Sequence, residues 1–188
     1  MGRPIVVIRV LFVLLTLEAT AILAHAQTGA ATDDSLRAWA RMAEVLRHPR
    51  CLNCHPIGDA PRQADDRHLH RMLVMRGADD RGTPAMRCAT CHQTVNSADG
   101  RVPGAPHWHL APRPMGWEGL GDGELCRTLK DPARNGGRSV AALVHHMTTD
   151  ALVQWAWSPG KRPAPPVSQF EFHEAVKRWA VTGAACPS

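Results

Sequence analysis

The chain has 188 residues, 22 basic against 17 acidic side chains, and only 5% aromatic residues. That length suits one domain or two small lobes, and a mild positive excess spread along the chain excludes a nucleic-acid surface while suiting an acidic patch on a protein partner. With no Tyr and three Phe, the chain has too few large side chains for a full core unless a broad planar hydrophobe comes from outside.

Arg3 and Arg9 flank the start of an apolar run from Val10 to Leu17, and small residues end at Ala24-His25-Ala26. This is the layout of a secretory signal peptide, residues 1–26, cleaved before Gln27 to release residues 27–188 into the periplasm. An uncleaved membrane anchor is the alternative, but the run is short and Glu18 would lie in hydrocarbon. Arg3, Arg9 and Glu18 leave with the signal, so the net charge falls from +5 to +4.

A helix capped by Thr32 or Asp33 should run to about Arg47, with Leu36, Trp39, Ala43 and Leu46 on one face. It delivers the chain into Cys51-Leu52-Asn53-Cys54-His55, and the same device returns as Cys88-Ala89-Thr90-Cys91-His92. Two cysteines separated by two residues can each add a thiol across a vinyl group of haem, while the histidine that follows binds the iron. The spacing therefore predicts two covalently attached haems c, with Cys51, Cys54, Cys88 and Cys91 as thioether residues and His55 and His92 as proximal ligands. A four-cysteine zinc site and a pair of redox dithiols are the alternatives. Zinc needs no histidine in the fifth position of both copies, and no strand-to-helix context surrounds either pair.

Pro56 to Pro61 is a turn, and a helix is expected from about Asp65 to Arg76, ended by Gly77 and carrying His68, His70, Met72 and Met75. A turn from Ala78 to Thr83 leads to the second motif. From Asn96 to Trp117 the prolines at 103, 106, 112 and 114 forbid regular structure. Short helices are predicted over roughly 123–131, 139–149 and 151–157. A last helix opens on Ser168-Gln169-Phe170-Glu171, the spacing of a capping box, buries Phe172, Ala175, Val176 and Trp179, and ends at Gly183. No strand shows period-two alternation. The fold class is mostly α, with helices and long irregular loops wrapped around two covalently bound haems.

The face of each iron opposite His55 and His92 decides between a carrier and an open site. Met115, in proline-fixed extended chain, is one candidate ligand. His70, 15 residues after His55, has enough chain to pass round a haem edge and present an imidazole from the far side. His146 is preferred to its neighbour His145 because it lies nearer the apolar face of its helix. Each has a plain alternative: a methionine that fills core, or a histidine at a helix surface. His173 falls outside its apolar face and is expected at the surface, and His48, His107 and His109 are weaker ligand candidates. Trp108 and Trp117 are expected against haem faces or edges, and Arg67, Arg71, Arg76 and Arg113 are near enough in sequence for propionates. Cys126 and Cys186 remain, and in an oxidising compartment they are read as a disulfide closing a loop of about 60 residues, worth about 4 kcal/mol by chain entropy. Two buried free thiols are the alternative.

Cys51 to Gly58, His109 to Trp117, Asp131 to Arg138, Leu152 to Trp157 and Gly183 to Pro187 together resemble small exported dihaem cytochromes c, of the group often labelled isoquinoline 1-oxidoreductase subunit. The resemblance spans nearly all of residues 27–188. It implies a cytochrome c-like fold and an electron-transfer protein, not an enzyme, with a molybdenum hydroxylase as donor and another cytochrome or a terminal oxidase as acceptor. A peroxidase-like dihaem enzyme with one open iron is the competing expectation, and a haem-based sensor working through a partner is a third.

Overall fold

The computed structural model describes residue 27 and residues 29–188; the expected signal peptide lies outside the described residues. Helix α1 covers 29–46 and is followed by a single turn, α2 (Pro49–Leu52), which has Pro49 at its start and His48 as its cap. After a long irregular stretch come α3 (Asp122–Lys130), α4 (Val140–Thr149), α5 (Ala151–Gln154) with a 3-10 turn over Trp155–Trp157, and α6 (Gln169–Val181). The fold is helix-rich with no closed sheet among the described residues.

The helices form where local chemistry supports them. Ser139 accepts the Ala142 amide at the start of α4, and Asp150 accepts those of Leu152 and Val153 at the start of α5. At α6 the capping box is complete: the Glu171 amide donates to Ser168 Oγ at 3.2 Å and the Ser168 amide to Glu171 Oε2 at 3.0 Å. Such a box is worth about 1 kcal/mol. Gly183, at φ 103°, then lets the chain turn out of the helix.

One core joins these elements. Trp39, Met42 and Val45 of α1 meet Phe172, Val176 and Trp179 of α6, with Leu125 and Leu129 of α3 and Leu143 and Met147 of α4. The rings of Trp39 and Trp179 lie 5.9 Å apart. Leu36, expected on the apolar face of α1, is only half-buried, while Ser35 is fully buried and ties three segments together. Its hydroxyl donates to the Trp179 carbonyl and accepts the Ala185 amide. Cys126 and Cys186 are bonded to each other, with Cα atoms 5.5 Å apart, and pin the segment after α6 to α3.

The helix expected over 65–76 is absent. In its place β1 (Arg62–Gln63) pairs antiparallel with β2 (His68–Leu69), Arg62 opposite Leu69, and a 3-10 turn follows over Arg71–Leu73. Ala64, Arg67, Met72 and Leu73 all have positive φ, which no α-helix tolerates. The backbone donors here reach distant acceptors: Arg62 to the Asn53 carbonyl, His70 to Pro61 and Arg76 to Asp59. A helix this short has little intrinsic stability in water, and the tertiary bonds win. A second small hairpin, β3 (Gly82–Thr83) with β4 (Met86–Arg87), leads into the second cysteine motif.

Glu118 fastens the first hairpin to the loop before α3. Its carboxylate accepts from Arg62 Nε at 2.9 Å, Arg67 Nη2 at 2.8 Å and the Ile57 amide at 3.2 Å. Burial raises its pKa, but Arg62, the Ile57 amide and Arg67 together outweigh it and hold the carboxyl below its usual 4.5. A lowered carboxylate pKa gives stability that is present above about pH 4.5 and lost as pH falls through the folded value. Glu118→Gln should cost about 1–2 kcal/mol at pH 7, and the gap from wild type should close as thermal melts are taken from pH 5 towards pH 3.

Candidate functional site

Both cysteine motifs sit on a single helical turn, which brings residues three apart to one side. In the first, the Cys54 amide donates to Cys51 and that of His55 to Leu52; in the second, the Cys91 and His92 amides both donate to Cys88. All four cysteines are free thiols. Burial pushes the Cys51 thiol up to about 12 and that of Cys54 up to about 11, and also raises Cys88.

The two histidines are held in the same way. His55 Nδ1 lies 2.7 Å from the Met115 carbonyl and its ring stacks on Trp117, centroids 3.4 Å apart. His92 Nδ1 lies 2.8 Å from the Pro103 carbonyl and its ring stacks on Trp108 at 4.6 Å. A carbonyl only accepts, so Nδ1 carries the proton in both rings and Nε2 is left as the lone-pair donor. Burial lowers both pKa values, that of His55 to about 3 against the raising effect of its bond to Met115, so both imidazoles stay neutral and fit to bind a metal at pH 7.

Each carbonyl is followed by a glycine that lets it approach. A Cβ on Gly116 would stand 2.8 Å from the Ile57 Cα and 2.9 Å from the Pro56 oxygen; one on Gly104 would stand 2.1 Å from the Val95 oxygen and 2.5 Å from that of Gln93. The loop after each motif is thus clamped by a second strand of chain passing against its backbone. Sequence reasoning missed this pairing, although Met-Gly-Trp and Pro-Gly were visible in the proline-rich loop.

Two adjoining cavities open beside the motifs. The smaller, about 140 Å³, lies in the helical core and is lined by Cys51, Cys54, His55, Leu143, His146 and Met147 among others. The larger, about 510 Å³, is lined by Cys88, Cys91, His92, His70, Met72 and Met75 among others, and it falls in the usual range for cofactor-sized ligands, roughly 300–1,000 Å³. Arg50, Cys54, His109 and Trp155 border both. Each cavity therefore has one Cys-x-x-Cys-His set on its wall, together with largely apolar lining, and the smaller falls below that range of volume.

The candidate ligands distribute unevenly. His70 was expected to serve the iron of His55, but the hairpin carries it to His92, whose ring centre is 6.0 Å away. Two imidazoles that share one metal ion, each about 2.0 Å from it, have ring centres roughly 6 Å apart, so His70 and His92 are close enough that both could hold a single ion. His70 Nδ1 is engaged with the Arg71 carbonyl at 2.7 Å, again leaving Nε2 free. His146 lines the cavity of His55 with its Nδ1 3.3 Å from Asp150 Oδ2, while His145 is exposed. Met115 is buried and lines the same cavity as His55, and its carbonyl oxygen also receives the His55 Nδ1 proton.

Other expectations also shift. His173 is half-buried, its Nε2 2.8 Å from Gln154 Oε1, and not a surface residue. His109, ranked low from sequence, lies on the wall common to both cavities. Trp108 and Trp117 stack on the histidine rings. Of the propionate candidates, Arg71 and Arg76 line the larger cavity, whereas Arg67 is turned to Glu118 and Arg113 to Asp59. Three buried donors on the cavity walls have no hydrogen-bond partner in the protein, Trp117 Nε1, Arg50 Nε and Arg76 Nε. Among the described residues no cluster of three His, Cys, Asp or Glu side chains forms a site for a bare metal ion.

Gly104→Ala and Gly116→Ala should each destabilise the fold by about 1–3 kcal/mol in denaturant titrations, because backbone oxygens cannot swing aside as side-chain tips do. Gly104→Ala, with the closer approach, should be the worse of the two; unchanged midpoints in both would show that the loops are not clamped this way. No family model, curated protein or solved structure matches this chain.

Proposed function

We propose that this chain is an exported c-type cytochrome that holds two haems covalently and moves electrons between a dehydrogenase or hydroxylase and the respiratory chain. The observation that carries the proposal is the repeated site: two Cys-x-x-Cys-His turns, each with its imidazole fixed as the Nδ1–H tautomer by a backbone carbonyl, each facing one of two adjoining cavities. The likeness to small exported dihaem cytochromes supports it. So does the state of the first motif's thiols, since a redox dithiol needs a lowered pKa and burial raises those of Cys51 and Cys54.

Bound haem supplies a one-electron couple at its iron. The chain's own residues do the rest. Cys51 and Cys54, then Cys88 and Cys91, provide the sulfurs that fix each group to a rigid turn. His55 and His92 offer Nε2, and the hydrogen bond from Nδ1 to a carbonyl strengthens each as a donor. His70 faces His92, and His146 is the candidate opposite His55, its ring steadied by Asp150. Apolar side chains such as Leu143, Met147 and Met115 keep water from the smaller cavity, a setting that tunes reduction potential. Cys54 and Trp155 line both cavities, so groups held in the two would be separated by a single wall. The donor is proposed as a molybdenum hydroxylase and the acceptor as another cytochrome or a terminal oxidase, met in the periplasm.

A second reading has one specific support. His146 and Asp150 beside the first motif make a histidine–carboxylate pair of the kind used for acid–base work, and in a peroxidase-like enzyme they would face an open iron.

The test is made on protein purified from a host that matures c-type cytochromes. The denatured chain should weigh two haems more than the processed polypeptide, and low-temperature electron paramagnetic resonance should show His/His iron. His70→Ala and His146→Ala should each open one iron of the reduced protein to carbon monoxide. A mass equal to the bare chain refutes the proposal, and rapid carbon monoxide binding by wild type with peroxide consumption transfers it to the enzyme reading.

A further inference from the structure

Arg50 stands between the two cavities, immediately before the first cysteine motif. Its side chain is 2% exposed, yet its one carboxylate partner, Asp65, is 56% exposed and sits towards solvent. Its Nε has no partner at all. A buried guanidinium with a donor unmet costs several kcal/mol unless an anion satisfies it.

Arg162 adds to the imbalance. It borders the larger cavity and donates only to carbonyls, those of Gly100 and Pro159 at 3.2 Å each and that of Arg101. Arg50 feels its charge directly, and burial lowers the pKa of both groups. Seven arginines line the larger cavity and its lining includes neither Asp nor Glu. Arg62, Arg76, Arg87 and Arg101 find carboxylates elsewhere, in Glu118, Asp80, Asp79 and Asp99. Arg71 is exposed to solvent, which leaves Arg50 and Arg162 as the partly or wholly buried pair, two positive charges with one carboxylate between them.

Resting on the proposed function, we infer that Arg50, with Arg162 beside it, forms a carboxylate-binding site at the seam of the two cavities, built to receive the propionate groups of the tetrapyrroles. The planar fork of a guanidinium matches a carboxylate and forms strong charge-assisted bonds where water is excluded. Arg50 borders both cavities, so a propionate from either group reaches it; Arg162 borders the larger alone. Of the arginines first suggested by sequence proximity, Arg67, Arg76 and Arg113 are paired with carboxylates, and Arg71 lines the larger cavity with an exposed side chain.

The experiment compares loaded wild type with Arg50→Gln, Arg50→Lys and Arg162→Gln. Haem content by mass and axial ligation by paramagnetic resonance serve as controls for folding. Removing a positive charge beside a haem favours its oxidised form. Arg50→Gln should shift the reduction equilibrium of at least one haem about tenfold, about 59 mV for a one-electron couple, and move the propionate bending band in resonance Raman spectra. Arg50→Lys should recover part of the potential shift but not the band. Arg162→Gln should affect only the haem of the second motif. Which potential moves in Arg50→Gln tells which cavity supplies the carboxylate. If Arg50→Gln fails to mature, the Lys variant's altered band and Arg162→Gln's shifted potential carry the same prediction. Loaded variants with unchanged potentials and bands overturn this inference alone, whereas a wild-type mass without haem overturns the function on which it rests.

Discussion

The hydrogen bond from His55 Nδ1 to the Met115 carbonyl is the contact on which the rest of the site depends. It fixes a tautomer, and with it the atom through which the imidazole binds. It also joins residues 60 positions apart. To make it, the proline-rich loop must return to the first motif, and further backbone bonds hold it there: Trp117 donates to His55 and Ala111 to Cys54. The second motif solves the same problem locally, with an acceptor 11 residues on. One arrangement is thus reached by two routes, one through tertiary structure and one through a tight loop.

That difference runs through the whole molecule. The first motif leaves α1 and its cavity is walled by α3, α4 and α6, so its surroundings are helical and shared with the hydrophobic core. The second is set among two-residue hairpins and loops whose side chains are mostly half-buried or exposed. Leu69, Met72 and Leu73, each more than half exposed, belong to the hairpin region beside this larger cavity. The outside planar hydrophobe expected from the scarcity of large side chains would, in the proposed reading, cover most apolar surface here.

The sequence made some of this legible and hid the rest for physical reasons. Capping signals are local, and the Ser168–Glu171 box marks α6 correctly because its bonds span only a few residues, whereas Thr32 and Asp33, read as caps of the first helix, lie inside α1, which begins at 29. The 65–76 segment carries plausible helix chemistry but its structure is decided by Asn53, Asp59 and Pro61, residues a helical wheel does not see. For the same reason His70 was assigned to the nearer motif, whereas the hairpin brings it to His92. The cysteine–histidine motifs needed no tertiary knowledge. Arg50 could not be singled out, since it is set apart only by its burial at the seam of both cavities, which the sequence does not show.

The bond between Cys126 and Cys186 bears on how the chain is made. Six thiols admit fifteen pairings, and only one pair is joined in the finished fold. During synthesis Cys126 emerges after all four motif cysteines and 60 residues before its mate. Throughout that interval the only thiols it could oxidise with are those of the two motifs. Capturing the motif sulfurs early, as thioethers that no longer exchange, would remove every wrong partner before the right one arrives.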